Sequence, residues 1–211
     1  PTPSAEPGPR DRARTMKRAR CLFFVASLAS SAHAESGPRH ALEVNLFGGH
    51  SWSLRVHTEN EQRVWSKNGG EAFAAYALFR SPYFLSPYID VGYYPLYASQ
   101  EARDVGPPFG TLHSTSSMST LAFVAGPAFD FWHLRLRAGM GAYRLQVRST
   151  VLGETITPAE LDGGYLFAVS GWFLVRSRVR VGLEGRLGLI VEADIPMAAV
   201  GVTIGGDALT W

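Results

Sequence analysis

The clearest pattern in the chain is VRVGLEGRLGLIV at residues 179–191, where Val179, Val181, Leu183, Leu187 and Leu189 alternate with Arg180, Gly182, Glu184, Arg186 and Gly188. A period of two marks a β-strand with two unlike faces. The same alternation sets Trp132, Leu134, Leu136, Ala138 and Met140 against His133, Arg135, Arg137, Gly139 and Gly141. In both stretches small glycines share a face with charged residues. That composition suits the crowded interior of a narrow closed sheet and leaves the aliphatic face to lipid.

Extending this pattern along the chain predicts strands at 42–54, 72–80, 88–96, 120–130, 132–147, 164–175, 179–191 and 197–205. No stretch has the length and period of a helix. The predicted connections alternate in length: 56–70 is long and holds an Asn68-Gly69 turn signal, 81–87 is short, 97–118 is the longest, Phe131 alone separates two strands, 149–163 is long, and 176–178 is tight. Short turns on one side and longer loops on the other are the asymmetry of an outer-membrane barrel. The fold class is therefore all-β: an eight-stranded antiparallel up-and-down transmembrane β-barrel over residues 35–211. Aromatics suggest two interfacial girdles, one from Phe79, Tyr83, Phe84, Tyr88, Phe129, Phe131 and Trp132, the other from Trp52, Tyr93, Tyr94, Tyr97 and Tyr143.

Charge placement sharpens the picture. An arginine facing lipid at midplane costs about 2–4 kcal/mol, so charges on these strands belong inside. The inward stripes offer Glu43, Asp90, Asp130 and Glu184 against Arg135, Arg137, Arg180 and Arg186, a lumen charge network in which acids balance bases. About eight strands leave room only for side chains or one small ligand, which predicts a plugged interior. Arg55, Arg144 and Arg148 fall near the outer strand ends, where guanidinium groups can meet lipopolysaccharide phosphates or simply water.

Composition changes less. The N-terminal segment has a basic cluster at 16–20, an apolar run at 21–31 and the small-x-small site Ala32-His33-Ala34, so residues 16–34 read as a secretory signal peptide too short to span a bilayer. Residues 1–15 read as an over-extended start or a disordered lead-in. Taking residues 1–34 from the net charge of +2 removes six basic and two acidic residues and leaves −2, so the basic balance belongs to the leader and implies no nucleic-acid partner. The single cysteine, Cys21, also lies in the leader, which leaves the remainder without disulfide, thiolate metal site or cysteine nucleophile.

Taken together, residues 35–211 resemble the small eight-stranded outer-membrane barrels, the class of the OmpA transmembrane domain, OmpX and OmpW. The resemblance implies a Gram-negative outer-membrane location with a periplasmic N-terminus, insertion by the barrel-assembly machinery, contact with outer-membrane lipids and lipopolysaccharide, and a monomer. It also implies a C-terminal assembly signal, matched by Leu209 and Trp211, whereas Asp207, Gly205 and Thr203 depart from it, so that either the last strand bends near Gly205-Gly206 or the signal is weaker here.

Candidate chemistry is sparse. Lipid A deacylases of similar size use a His-x-Ser pair, but here His50, His57, His113 and His133 are followed two residues on by Trp52, Glu59, Thr115 and Arg135. No histidine has the partner, so no catalytic residue is assigned. No metal-ligand spacing or phosphate-binding glycine motif is found, and no cofactor is expected. Three roles stay open: a structural or surface-interaction barrel with function in its loops, above all 97–118; an OmpW-like conduit for small apolar molecules, which needs an apolar outer funnel; and a soluble lipocalin-like periplasmic barrel with its apolar face inward.

Overall fold

The computed structural model describes residues 40–54, 63–81, 85–104, 106, 110–176 and 179–210. The leader segments lie outside the described residues, as do Arg55, Tyr83, Phe84 and Trp211. The strands are β1 (Ala41–Ser53), β2 (Arg63–Lys67), β3 (Gly70–Arg80), β4 (Leu85–Asp104), β5 (Thr111–Phe131), β6 (Leu134–Val151), β7 (Glu154–Ile156), β8 (Ala159–Arg176), β9 (Val179–Ile190) and β10 (Ile195–Thr210). Each pairs antiparallel with its neighbours in the order β2-β4-β3-β1-β10-β9-β8-β6-β5, and β5 returns to β4 to close the ring. β2 and β3 both run against β4, one above the other, and β7 and β8 stand in the same relation along β6. Counting each pair as one interrupted strand gives eight staves.

Burial follows the alternation. In β9, Gly182, Glu184, Arg186, Gly188 and Ile190 are buried inside, and Leu183, Leu187 and Leu189 face out. In β6, Arg135 and Arg137 point in while Leu136 and Met140 point out. The outward band continues around the ring through Val44, Leu46, Phe73, Ile89, Val91, Phe123, Phe167, Val169, Val202 and Ile204. Side-chain-free positions let the wall close tightly where β1 meets β10: a Cβ at Gly49 would strike the Val200 carbonyl, and one at Gly201 the Gly48 carbonyl.

The wall is taller and less loop-like than the pattern predicts. The stretch read as the longest loop, 97–118, is mostly hairpin, because β4 and β5 stay paired from Tyr97 and Met118 up to Asp104 and Thr111. Much of 149–163 is likewise strand, with β6 turning back into β7 through Leu152-Gly153, both at positive φ (54° and 82°) as a two-residue hairpin turn requires. Opposite, the turn at 191–194 ends β9 and β10 much lower. Sequence TLHSTSSMS at 111–119 hides its strand because neither face needs to be apolar once the sheet rises past the band.

Two further expectations are corrected. Tyr88, Tyr94 and Tyr143 are buried inside the barrel and belong to no girdle, since they share parity with Asp90 on β4 and with Arg135 and Arg137 on β6. The break near the C-terminus falls two residues beyond Gly206. The β1–β10 register shifts between Leu42 and Glu43, pairing Glu43 with Asp207 and Leu42 with Leu209. Ala208 is thus the extra residue of a bulge, which keeps buried Thr203 and Gly205 in phase with Asp207 and turns Leu209 outward.

An outward leucine such as Leu183 tests what this face meets. Leu183→Arg is expected to lower stability by about 2–4 kcal/mol in urea unfolding of protein refolded into lipid vesicles. An unchanged midpoint would mean that this face does not meet lipid.

Candidate functional site

The barrel interior holds two ionic layers. The lower one, beside the chain ends, centres on Glu43 of β1. Arg135 reaches Glu43 through Nη1 to Oε1 at 2.6 Å and Nη2 to Oε2 at 3.0 Å, and turns its Nε and second Nη2 contact onto Asp130 at 2.5 and 2.9 Å. Arg80 and Arg180 donate to Glu43 Oε2 at 2.8 and 3.1 Å and approach Asp207 Oδ1 at 3.4 and 3.6 Å. Three arginines thus meet three carboxylates in this layer.

The second layer lies farther up the staves and is fully buried. Arg137 donates to Asp90 Oδ2 at 2.8 Å and to Glu184 Oε1, while Arg186 donates to Glu184 Oε1 at 2.6 Å, Asp90 Oδ1 at 3.1 Å and the Tyr94 hydroxyl. Ser170 Oγ donates to the remaining Glu184 oxygen at 2.7 Å. Aromatic faces complete the shell: the Arg137 guanidinium lies 3.5 Å from the Tyr76 ring centroid and that of Arg186 4.3 Å from Phe47. Two arginines against two carboxylates make this layer neutral as well.

All eight residues named for the lumen from sequence take part in these layers. Arg80, Asp207, Ser170, Tyr94 and Tyr76 join them and were not named for the lumen. For Arg80 the phase of β3 was unreadable, because GEAFAAYALFR is apolar on both faces between Ala72 and Phe79. Above the second layer the described interior is mostly apolar, with Thr120 and Asp162 buried at the level of Leu145 and Tyr143. Leu96, Tyr143, Leu166, Ile190 and Met197 are buried there and form one cluster with Phe47, Leu145 and Ala199.

Outside, the rim carries the other named residues. Arg144 and Arg148 project from the outward face of β6 and are exposed. Arg148 lines a recess of about 360 Å³ with Tyr93, Ser117, Ser119, Gln146 and Thr157. Leu209 is exposed on the outward face of β10. Among the described residues no cluster of three or more His, Asp or Glu side chains could hold a metal ion.

Among solved structures, the attachment invasion locus protein Ail of Yersinia pestis aligns over 81% of this chain and 99% of its own, with a TM-score of 0.50 and 10% sequence identity. The chain has the fold of the small outer-membrane β-barrels. Neisserial surface protein A aligns over 82% of this chain and 99% of its own at a TM-score of 0.41 and 14% identity. The N-terminal β-barrel domain of Pseudomonas aeruginosa OprF aligns over 77% and 96% at 0.39 and 9%. No family model and no curated protein matches the sequence.

Removing one member of the buried layer strands its partners. Arg137→Met, which leaves Asp90 and Glu184 with Arg186 alone, is expected to cost about 3–5 kcal/mol in chemical unfolding, and adding Glu184→Gln should recover part of that loss. Arg148→Met at the exposed rim should stay within about 0.5 kcal/mol of the parent. Equal, small losses for both arginines would show that Arg137 is solvated.

Proposed function

We propose that this protein is a monomeric integral barrel of a Gram-negative outer membrane, closed to solutes and serving as a rigid post for surface interactions. In this reading residues 16–34 direct export, the barrel-assembly machinery inserts residues 35–211 with the N-terminus periplasmic, and Leu209 with Trp211 supplies the assembly signal. The observation that carries the proposal is the sorting of side chains: Arg135 is 0% and Arg137 2% exposed inside, while Leu136 is 48% and Met140 66% exposed outside.

That sorting is the reverse of a soluble ligand-binding barrel. Apolar surface around every stave far exceeds the few hundred Å² that soluble monomers leave uncovered. A conduit for apolar molecules would need an open funnel above the salt bridges. The outer interior has the right polarity but is occupied by Leu96, Leu166, Ile190 and Met197. Among the described residues the buried carboxylates Glu43, Asp90 and Glu184 are committed to arginines, which leaves them no role as a general base. Interaction then falls to the tall wall of β4, β5, β6 and β7, which rises above the apolar band and presents serine and threonine on both faces.

Two assays test this reading. The folded protein should migrate differently with and without heating in detergent, and proteoliposomes containing it should swell in arabinose no faster than protein-free liposomes. Rapid swelling would contradict a closed interior, and a detergent-free soluble monomer would remove the membrane altogether.

A further inference from the structure

The outward face of β6 carries two recesses of opposite character, one above the other. The lower, of about 410 Å³, is bounded by Met140, Tyr165, Val191 and Glu192 and floored by Gly141, Gly163 and Gly164. Met140, Tyr165 and Val191 are exposed apolar residues continuous with the outward band. Gly163 leaves this recess open without any steric need: a Cβ there would meet nothing within 4 Å, and its φ is not in the left-handed region. The upper recess, of about 360 Å³, is polar, with Arg148 as its cation, the hydroxyls of Ser117, Ser119 and Thr157, the Gln146 amide and the Tyr93 ring. Arg144 projects from the same face between them.

We infer that this seam is a binding track for one phosphorylated glycolipid, with an acyl chain in the lower recess and an anionic sugar in the upper. The inference deepens the surface-interaction reading above and rests on it. The order of the two recesses is that of a lipid in the outer leaflet, apolar toward the membrane interior and polar toward the outside. Their spacing fits as well. Met140 and Arg148 are eight residues apart on one strand, about 26 Å along it and about 20 Å along the membrane normal at a tilt of about 40°. Tyr93 offers an aromatic surface to the apolar face of a sugar ring, Gln146 and the hydroxyls pair with its hydroxyl groups, and Arg148 with Arg144 supplies charge-assisted, bidentate contacts to phosphate. Glu192, on the opposite flank of the lower recess, repels phosphate from that side and leaves the arginine side as the favourable one.

Amide resonances of the protein in phosphatidylcholine nanodiscs, with increasing mole fractions of lipopolysaccharide, test the track. Ser117, Ser119 and Gln146 above, and Gly163 and Tyr165 below, are expected to shift together and to saturate. Arg148→Gln and Gly163→Leu, altering opposite ends, should each raise the half-saturating fraction at least tenfold, and dephosphorylated lipopolysaccharide should bind the parent at least tenfold more weakly. Unchanged half-saturation in both variants, or equal response to the dephosphorylated lipid, would overturn the inference. So would a response of the upper residues to soluble glucosamine 6-phosphate with none to lipopolysaccharide, which would make the recess a soluble-sugar site. Heat-modifiable migration of the parent and both variants is measured alongside; its loss in the parent would defeat the barrel reading itself, whereas its retention with no binding defeats the track alone.

Discussion

Neutralisation of arginine by carboxylate inside a closed sheet is the constraint on which the rest of the structure depends. An eight-stave barrel has an interior just wide enough for side chains, so a guanidinium pointing inward loses most of its water and must find an anion on another stave. Glu43 does this for Arg135, 92 residues away, and for Arg180, 137 residues away. These contacts tie β1 across the barrel to β6 and β9, which are not its neighbours in the sheet. They also fix strand phase, because sliding any of these strands by one residue would turn its charges outward and its leucines inward.

The layers divide the labour along the barrel axis. The lower one is partly wetted, with Arg80, Arg180 and Asp207 each near one-fifth exposed, and it lies at the end where β1 begins and β10 ends. The second is buried, and its Arg137 and Arg186 are held by aromatic faces as well as carboxylates. Beyond it leucine, isoleucine and methionine dominate the described interior, alongside buried Thr120 and Asp162. Above the staves the tall wall of β4, β5, β6 and β7 presents a surface whose chemistry differs from theirs.

Legibility in the sequence tracked the contrast between faces. β6 and β9 alternate arginine or glutamate with leucine and were readable to the residue, including the ion-pairing positions on both. β4 carried the same information through Asp90, yet Tyr88 and Tyr94 were assigned to girdles on residue type when their parity with Asp90 places them inside. β3 was silent because alanine and phenylalanine suit either face, and so Arg80 went unassigned. The upper parts of β4 and β5 were silent for the opposite reason: serine and threonine suit water on both sides, and a paired strand there looks like a loop. The bulge at Ala208 was visible only as a mismatch in the C-terminal alternation, since a single extra residue leaves no compositional mark.

Hydrogen exchange at the arginine side chains tests the central claim most directly. In protein refolded into lipid nanodiscs, the Nε protons of Arg135 and Arg186, which donate to Asp130 and Glu184, should exchange with solvent orders of magnitude more slowly than those of Arg144 and Arg148. Exchange at one common, rapid rate for all four would place the first two in water and contradict the account.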